Sequence, residues 1–488
     1  MTMMKRIGLA VGIALPLFII LFANFGENIQ TNRMAACAIM MSIFWVTEAI
    51  PLAATALLPL VFFPVLGIAS SKAVASQYMN STVFLLIGGF MIALAMQRWN
   101  LHKRIALNIL VLFGGHPLQL VFGFMVATVG LSMWISNTAT VLMMLPIALA
   151  IIARLETFLT VKQAHQFALG LLLAIAYSAS IGGMMTLVGT APNLVFSQFY
   201  QMQSGVSVGF LQWMLIAVPV GIIMLMLLYA IIVALFLRRL PSTGDLKRLV
   251  MHERNQLGKI TNAEKAVSAI FAVTAMLWIT RKGIAIGDMI ILGWGDVLPY
   301  GKMIDDGSVA VAMATVLFFI PAKLNNEEST MLLDKKVFSE LPWPIVLLFG
   351  GGFALAYGFS ESGLSVYLAG QLQGLKSYSL PLIILAVSAG MNLLTELTSN
   401  TATAQLVMPI LLSTSKVLNI PPVWLMLPAV LSASCAFMFP VATPPNAIIF
   451  GSGRVKVYEM VRVGMVLNVL GVLVISGISY WLIPYIYR

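Results

Sequence analysis

The chain has 488 residues, of which 60% are hydrophobic and only 9% are charged, and its net charge is +11. Soluble globular domains carry about 25% charged residues, so this composition excludes a soluble globular protein. Apolar runs of about 18 residues recur along the whole length, which predicts an all-α protein that crosses a membrane many times. The basic residues lie between the apolar runs, so they indicate membrane orientation and no nucleic-acid partner.

The sequence predicts about eleven membrane-spanning helices and two further apolar segments. The same pentapeptide, Ser-Asn-Thr-Ala-Thr, interrupts both of these segments, at residues 136–140 and 399–403. We interpret the segments as re-entrant hairpins, 117–153 and 380–415, and two tightly joined spans are the alternative in each case. The predicted spans are 7–26, 33–49, 51–68, 82–97, 167–199, 208–237, 264–280, 308–321, 344–360, 422–450 and 460–487.

The charges of the loops orient these spans. With a cytoplasmic N-terminus, 20 of the 28 Lys and Arg residues fall on the inside, as the positive-inside rule requires. The first span lacks the small-residue cleavage site of a signal peptide, so we predict a retained helix. The expected location is the bacterial inner membrane, with lipid as a partner and the N-terminus in the cytoplasm.

The two halves of the chain repeat one order of motifs. A Gly-rich span, the pentapeptide, Ser-Ala-Ser and Thr-x-Pro-Asn follow one another twice, and the two pentapeptides are 263 residues apart. The first hairpin opens inside and the second outside, so we predict an inverted-topology repeat, as in many secondary transporters. The predicted organisation is N-terminal scaffold helices 1–81, first repeat 82–240 with broken helix 167–199, cytoplasmic loop and connecting helices 241–340, and second repeat 341–488 with broken helix 422–450.

Small polar residues inside these apolar segments predict a binding site at membrane depth. Lipid cannot satisfy the backbone of a hairpin tip, so the tip must be buried in protein or line a wet cavity. Pro192 and the pair Pro444 and Pro445 remove backbone donors and break the helix. Each break leaves a helix N-terminus that attracts anions and free carbonyls that attract cations. Such broken helices form the central site in many transporters.

A hydroxyl precedes each hairpin tip by four residues. Ser132 and Ser136 form one pair, and Thr395 and Ser399 form the other. Residues four apart share a helix face, so each hairpin is expected to present two hydroxyls together. An uncharged oxygen cage suits Na⁺, whereas Ca²⁺ sites normally recruit carboxylates. The alternative is that these hydroxyls only bond across helix interfaces.

Neither hairpin contains Lys or Arg, so a bound anion must rely on other positive charge. The two helix N-termini at the breaks supply about one positive charge between them. This predicts at least two Na⁺ per divalent anion, with each ligand tightening the other. Glu396, beside the second tip, is either a functional group or a buried structural acid, and the sequence favours neither reading.

These motifs together resemble one known family, the divalent anion/sodium symporters, which are sodium–dicarboxylate, –citrate and –sulfate cotransporters. The resemblance lies in both Ser-Asn-Thr clusters, both Thr-x-Pro-Asn breaks, WVTEAIP at Trp45 and SCAFMFPVATPPNAII at Ser434. The last motif has Ile449 where the family usually has valine, which is a conservative change. The resemblance implies a homodimer that works by an elevator mechanism, with a scaffold domain and a moving transport domain.

The resemblance also implies the residues of the site. It implies two sodium sites and one substrate site between the hairpin tips and the breaks. The implied sodium ligands are Ser132, Ser136, Asn137 and Gly189 at one site and Thr395, Thr398, Asn400 and Ala442 at the other. The implied substrate contacts are Asn137, Thr138, Asn400, Thr401, Thr443 and Pro444.

The expected function is sodium-coupled uptake of a divalent organic anion, with Na⁺ as the coupling ion. A threonine in both clusters, by resemblance, favours a C4 dicarboxylate such as succinate or malate. A sodium-independent dicarboxylate exchanger of the same fold is the first alternative. A membrane enzyme is the second, but the sequence has no His-Glu-x-x-His motif and no nucleophile–histidine pairing, so we expect no enzyme.

Overall fold

The structure is a computed structural model, and it describes residues 3–23, 28–113, 116–238, 246–286, 289–323 and 330–487. It is nearly all helical, which confirms the predicted class. Within the described residues, eight helices are long and apolar enough to cross a membrane. They are Met3–Phe22, Ser81–Arg98, Asn137–Glu156, Val161–Met184, Phe210–Leu237, Asn262–Arg281, Trp343–Glu361 and Val457–Ile486.

The first half of the chain contains the first hairpin and the first broken helix. Its helices, in chain order, are α1 (Met3–Phe22), α2 (Ile29–Thr47), α3 (Leu52–Val65), α4 (Ser71–Ala75), α5 (Ser81–Arg98), α6 (Leu101–Phe113), α7 (Pro117–Ser132), α8 (Asn137–Glu156), α9 (Val161–Met184), α10 (Ala191–Ser204), α11 (Phe210–Ile232, continued by a π-helical turn Val233–Leu237) and α12 (Leu246–Gln256).

The second half contains the second hairpin and the second broken helix, and the region that connects the halves contains two short β-hairpins. Strands β1 (Ile284–Ile286) and β2 (Met289–Ile291) pair antiparallel, as do β3 (Pro321–Ala322) and β4 (Thr330–Met331). The helices are α13 (Asn262–Arg281), α14 (Trp294–Val297), α15 (Asp306–Val316), α16 (Val337–Glu340), α17 (Trp343–Glu361), α18 (Leu364–Gln371), α19 (Leu380–Thr395), α20 (Asn400–Leu418), α21 (Val423–Ala433), α22 (Pro444–Gly451) and α23 (Val457–Ile486), and short 3₁₀ turns lie at Gly301–Met303 and Gln373–Ser377.

Both pentapeptide segments fold as helix–turn–helix pairs, which we name hairpin 1 (α7 and α8) and hairpin 2 (α19 and α20). The first arm of each has 16 residues. At 1.5 Å per residue such an arm is about 24 Å long, shorter than the roughly 30 Å hydrocarbon core of a bilayer. Each arm is therefore too short to cross the bilayer core as one straight helix, which favours re-entrant hairpins over joined spans.

The two predicted broken spans are interrupted where the sequence predicts. In the first, α9 ends at Met184 and α10 begins at Ala191. In the second, α21 ends at Ala433 and α22 begins only at Pro444, so the non-helical segment 434–443 is the longer of the two. Prolines at the first or second position of α10 and α22 account for the restart of each helix, because proline lacks the N–H that later helix positions need.

Two of the predicted spans correspond to helices that are shorter than the bilayer core. Predicted spans 51–68 and 308–321 correspond to α3 and α15, which have 14 and 11 residues and are about 21 and 17 Å long. Helices α6 and α12 pack on each other and were not expected as separate elements. The count of eleven spans therefore stays a prediction.

The two repeats interlock. Helix α22 packs against α8 and α9 of the first repeat, and α10 packs against α20 and α21 of the second. Likewise α15 packs on α5 while α3 packs on α17. Each helical hairpin therefore packs against the half-helix of the opposite repeat, α22 or α10. This packing brings the two breaks to the two hairpin tips.

Among the described residues, each ion pair joins two positions on the same predicted side of the membrane. Five pairs join positions that the predicted topology places inside, and one pair joins positions placed outside. This agreement supports the relative sidedness of the loops, and the absolute orientation stays a prediction. The inside pairs are Lys5–Glu48, Arg98–Asp334, Arg104–Glu264, His165–Glu459 and Arg454–Glu156, and the outside pair is Arg281–Asp306.

Candidate functional site

A cavity of about 720 Å³ lies where both hairpin tips meet both breaks. Four helices begin at its wall, because the N-cap residues of α8, α10, α20 and α22 all line it. These N-caps are Ser136, Thr190, Ser399 and Thr443. The backbone N–H groups of a first helical turn have no partner inside the helix, so this wall carries partial positive charge from four directions.

The tip of hairpin 1 brings three oxygen atoms together. Ser132, the last residue of α7, is fully buried, and its Oγ lies 2.7 Å from the carbonyl oxygen of Ala179 and 2.7 Å from Oδ1 of Asn137. A serine hydroxyl has one proton and can donate it to only one of these acceptors. The arrangement therefore leaves an oxygen-rich point without formal charge, which is the chemistry that a small monovalent cation requires.

Hairpin 2 reproduces this arrangement at the equivalent positions. Thr395, the last residue of α19, is fully buried, and its Oγ1 lies 2.8 Å from the carbonyl oxygen of Ala433 and 2.6 Å from Oδ1 of Asn400. We call the two groups the Ser132 cluster (Ser132, Asn137, Ala179) and the Thr395 cluster (Thr395, Asn400, Ala433). Their equivalence shows that the sequence repeat extends to side-chain geometry.

The expectation of paired hydroxyls on one helix face was wrong. The helix ends at Ser132 and starts again after Ser136, so no continuous helix face joins these two residues. The same break separates Thr395 from Ser399. In both hairpins the buried hydroxyl instead contacts the asparagine five residues later.

The other predicted sodium residues lie near the clusters. Ser136 caps α8 by accepting a hydrogen bond from the N–H of Ala139, and Thr398 donates to the carbonyl of Leu394. Gly189 approaches the end of α9 so closely that a Cβ there would lie 2.5 Å from the carbonyl oxygen of Gly183. Ser136, Asn137, Gly189, Thr398, Asn400 and Ala442 line the cavity, while Ser132 and Thr395 lie buried behind its wall.

All six residues that the resemblance implies as substrate contacts line this one cavity. Thr443 is buried and caps α22 by accepting from the N–H of Asn446, whereas Pro444 is exposed to the cavity. The structure thus brings residues from three separate segments, at the starts of α8, α20 and α22, to one place. They are Asn137, Thr138, Asn400, Thr401, Thr443 and Pro444.

Two asparagines that the sequence did not assign hold the breaks together. The Nδ2 atom of Asn193 donates to the carbonyls of Gly183 and Thr186, at 3.0 and 2.6 Å, across the break between α9 and α10. Asn446 does the same in the second repeat, with the carbonyls of Ala436 and Phe439. Some carbonyls expected to be free for cations are therefore bound by side chains. The sequence feature that could have predicted this role is the asparagine at the end of the Thr-x-Pro-Asn motif in both halves.

Glu396 holds the longer break. Its buried carboxylate accepts hydrogen bonds from three successive backbone N–H groups, those of residues 437–439, and from Nδ2 of Asn468 on α23. Among the described residues, these four donors satisfy the carboxylate, and none of them belongs to a basic side chain. Hairpin 1 has Met133 at the equivalent position, so the shorter break of the first repeat has no such carboxylate.

The positive charge available to an anion is larger than the sequence predicted. Two N-termini, giving about one positive charge, were expected from the breaks alone. The hairpin tips add the N-termini of α8 and α20, so four termini of roughly half a charge each give about two positive charges. This balances a divalent anion, so charge balance alone no longer requires two sodium ions.

Comparison with known proteins agrees with this geometry. Residues 4–486 match the family described as the sodium:sulfate symporter transmembrane region. The chain belongs to this family. Membership confirms the resemblance seen in the motifs, and it makes the chain a sodium-coupled membrane transporter and not an enzyme.

Curated relatives match nearly the whole length of the chain. The chain is 40% identical over 494 residues to the sodium-dependent dicarboxylate transporter SdcS of Staphylococcus saprophyticus, with 98% of this chain and 92% of the relative covered. It is also 40% identical over 492 residues to SdcS of Staphylococcus aureus strain USA300, with 98% and 91% covered.

Two solved structures share the fold. One is MtrF of Neisseria gonorrhoeae, from a class of antimetabolite efflux pumps, with a TM-score of 0.54, 14% identity, and 84% of this chain and 82% of that chain covered. The other is the YdaH transporter of Alcanivorax borkumensis, with a TM-score of 0.54, 13% identity, and 84% and 87% covered. At such identities the likeness concerns the fold alone.

Proposed function

We propose that the chain imports a C4 dicarboxylate, such as succinate or malate, together with Na⁺. The observation that carries this proposal is the convergence of four helix N-termini and two neutral oxygen clusters on one cavity. Helix N-termini favour carboxylates, and neutral oxygens favour a monovalent cation. Relatives 40% identical over nearly their whole length carry the name of sodium-dependent dicarboxylate transporters, which supports the same substrate class.

We assign one Na⁺ to each oxygen cluster. The equivalence of the Ser132 and Thr395 clusters is the reason for two ions, and it replaces the charge-balance argument. Substrate would lie between the tips, within reach of the first turns of α8, α20 and α22. The proposed sodium ligands are Ser132, Ser136, Asn137 and Gly189, and Thr395, Thr398, Asn400 and Ala442, and the proposed substrate contacts are Asn137, Thr138, Asn400, Thr401, Thr443 and Pro444.

The test is radiolabelled succinate uptake into proteoliposomes, with an inward sodium gradient or with choline in place of sodium. Unlabelled malate, fumarate, citrate and sulfate compete in parallel to rank the substrates. We expect uptake only with sodium and strongest competition from the C4 dicarboxylates. Uptake that ignores sodium but needs dicarboxylate inside the vesicle would establish the exchanger instead.

The number of ions follows from equilibrium binding. The succinate dissociation constant is measured in detergent against sodium concentration, with choline holding ionic strength constant. Two coupled ions predict a log–log slope steeper than one at sodium well below saturation. A slope of one or less would argue against the second site.

We further propose that the hairpins and broken helices move as one body against α3, α5, α15 and α17, in a homodimer with its N-terminus in the cytoplasm. The contact between α20 and α17 supports such movement. There Gln405 packs on Gly352, and neither polar atom of its buried amide has a hydrogen-bond partner in the described part of the chain. An unpaired buried amide is costly, so movement that exposes or pairs it is favoured. The homodimer and the elevator mechanism rest on the family resemblance.

A further inference from the structure

Two charged residues line the cavity although they belong to neither hairpin nor to a broken helix. Lys5 lies in the first turn of α1, and Glu48 directly follows α2. The Nζ atom of Lys5 is 3.6 Å from Oε2 of Glu48, and the two side chains are 39% and 59% exposed. Of the described residues that line the cavity, Lys5 is the one basic residue.

The backbone at Glu48 is unusual. Its φ of 47° and ψ of 39° place it in the left-handed region, which glycine adopts most easily. Two other non-glycine residues of the described chain have positive φ, Asn100 and Asn419, and asparagine tolerates this region. A glutamate at such a position is strained, and strain of this kind concentrates at functional sites.

Glu48 lines the cavity and its side chain is largely exposed, so its carboxylate lies at the mouth of the cavity. There Lys5 is its one polar side-chain contact among the described residues. At 3.6 Å the contact is longer than a charge-assisted hydrogen bond, so another carboxylate can take the place of Glu48. Helix α1 is independently anchored on α2, where a Cβ at Gly8 or Gly12 would collide with the side chains of Thr47 and Phe44.

We propose that Lys5 is a transient binding point for a substrate carboxylate on its path between solvent and the central site, and that Glu48 competes with substrate for it. This inference rests on the proposed function, since it takes the cargo to be a dicarboxylate. The chemistry is a simple exchange of one carboxylate for another on an ammonium group. The pair would keep the mouth neutral when no anion is passing.

The experiment follows succinate binding by rapid mixing in saturating sodium. Trp45 and Trp134 line the cavity, so their fluorescence can report occupancy, with radiolabelled binding as a second readout. Lys5→Gln should slow both association and dissociation roughly threefold or more, because steering charges act on the encounter step. The dissociation constant should change less, since Lys5 is not part of the final site. The dependence of association on ionic strength should also weaken.

Glu48→Gln should raise both rates by a similar factor in the presence of Lys5 and should have no effect in the Lys5→Gln background. Lys5→Arg keeps the positive charge and should retain wild-type rates. If the effect of Lys5→Gln came from the lost shape of the lysine side chain, Lys5→Arg would change the rates as well. Lys335→Gln is the matched control, because it removes one exposed positive charge on the same predicted face, away from the cavity.

The outcomes separate this inference from the proposed function. If the wild-type protein does not bind succinate at all, the proposed function fails. If wild type binds but Lys5→Gln keeps its rates, or if Lys335→Gln changes them equally, the inference is overturned. Equal effects of Glu48→Gln with and without Lys5 would show direct repulsion of the anion and overturn the competition.

Discussion

Replacing Glu396 by glutamine tests how the second break supports the site. In the native chain, Oε1 accepts from the N–H of Phe437 at 2.7 Å and from Asn468 at 2.6 Å, while Oε2 accepts from Phe439 at 3.2 Å and shares the N–H of Met438. Glutamine keeps one acceptor oxygen and turns an NH₂ group towards backbone donors. At least one buried N–H then loses its partner.

The size of the effect follows from these bonds. A buried N–H left without a partner costs about 1–3 kcal/mol, and 1.4 kcal/mol is about tenfold in affinity. The weakened segment 434–443 carries Ala442 and Thr443, so the loss should appear at the hairpin 2 site. We expect Glu396→Gln to raise the sodium concentration for half-maximal succinate binding by roughly tenfold or more. The melting temperature in sodium should fall as well.

The control is Glu361→Gln, which removes an exposed acid at the end of α17. Its sodium dependence should match wild type. A Glu396→Gln protein with both native sodium dependence and native melting temperature would refute the role assigned to the carboxylate. The contacts of Asn446 alone would then be sufficient to hold the break.

Three further outcomes are expected. Cysteines introduced beside Lys162 and beside Lys416, both exposed, should label from opposite membrane faces, and labelling from one face would exclude the inverted repeat. Ser132→Ala and Thr395→Ala should each weaken sodium binding roughly tenfold, and a folded double variant with unchanged sodium dependence would assign both hydroxyls to packing. The arginine partner of Asp334 lowers the pKa of that carboxyl, so the pair stabilises the fold above about pH 4 and stops doing so as pH falls through the lowered value. Asp334→Asn should remove this part of the acid sensitivity of the melting temperature.

The sequence alone was sufficient for the class, the order of elements and the family. Apolar length decides which segments enter a membrane, and proline decides where a helix cannot continue, so both are local properties. The pentapeptides and the Thr-x-Pro-Asn breaks were visible for the same reason. A polar cluster inside an apolar run is costly in a membrane unless protein or water surrounds it, so it indicates a site. The assignment of ligands came from the resemblance and still awaits experiment.

Tertiary structure decided how these elements meet. The Ser132 cluster includes a carbonyl from α9, and the carboxylate of Glu396 reaches residues 437–439, contacts between segments far apart in the chain. Local pattern carries no information about such pairs. The i, i+4 rule failed between Ser132 and Ser136 because it assumes a continuous helix, whereas packing against α9 stabilises a turn there.

The charge around the cavity also depends partly on the sequence alone and partly on the tertiary structure. The sequence alone shows that the predicted hairpin segments 117–153 and 380–415 contain no Lys or Arg. The interlocking of the repeats decided that four helix N-termini, and Lys5 from the first helix, would face one space. Partial charges at helix ends act over a single turn, so their sum at a site depends on where distant helices begin relative to one another, and only the folded chain determines that.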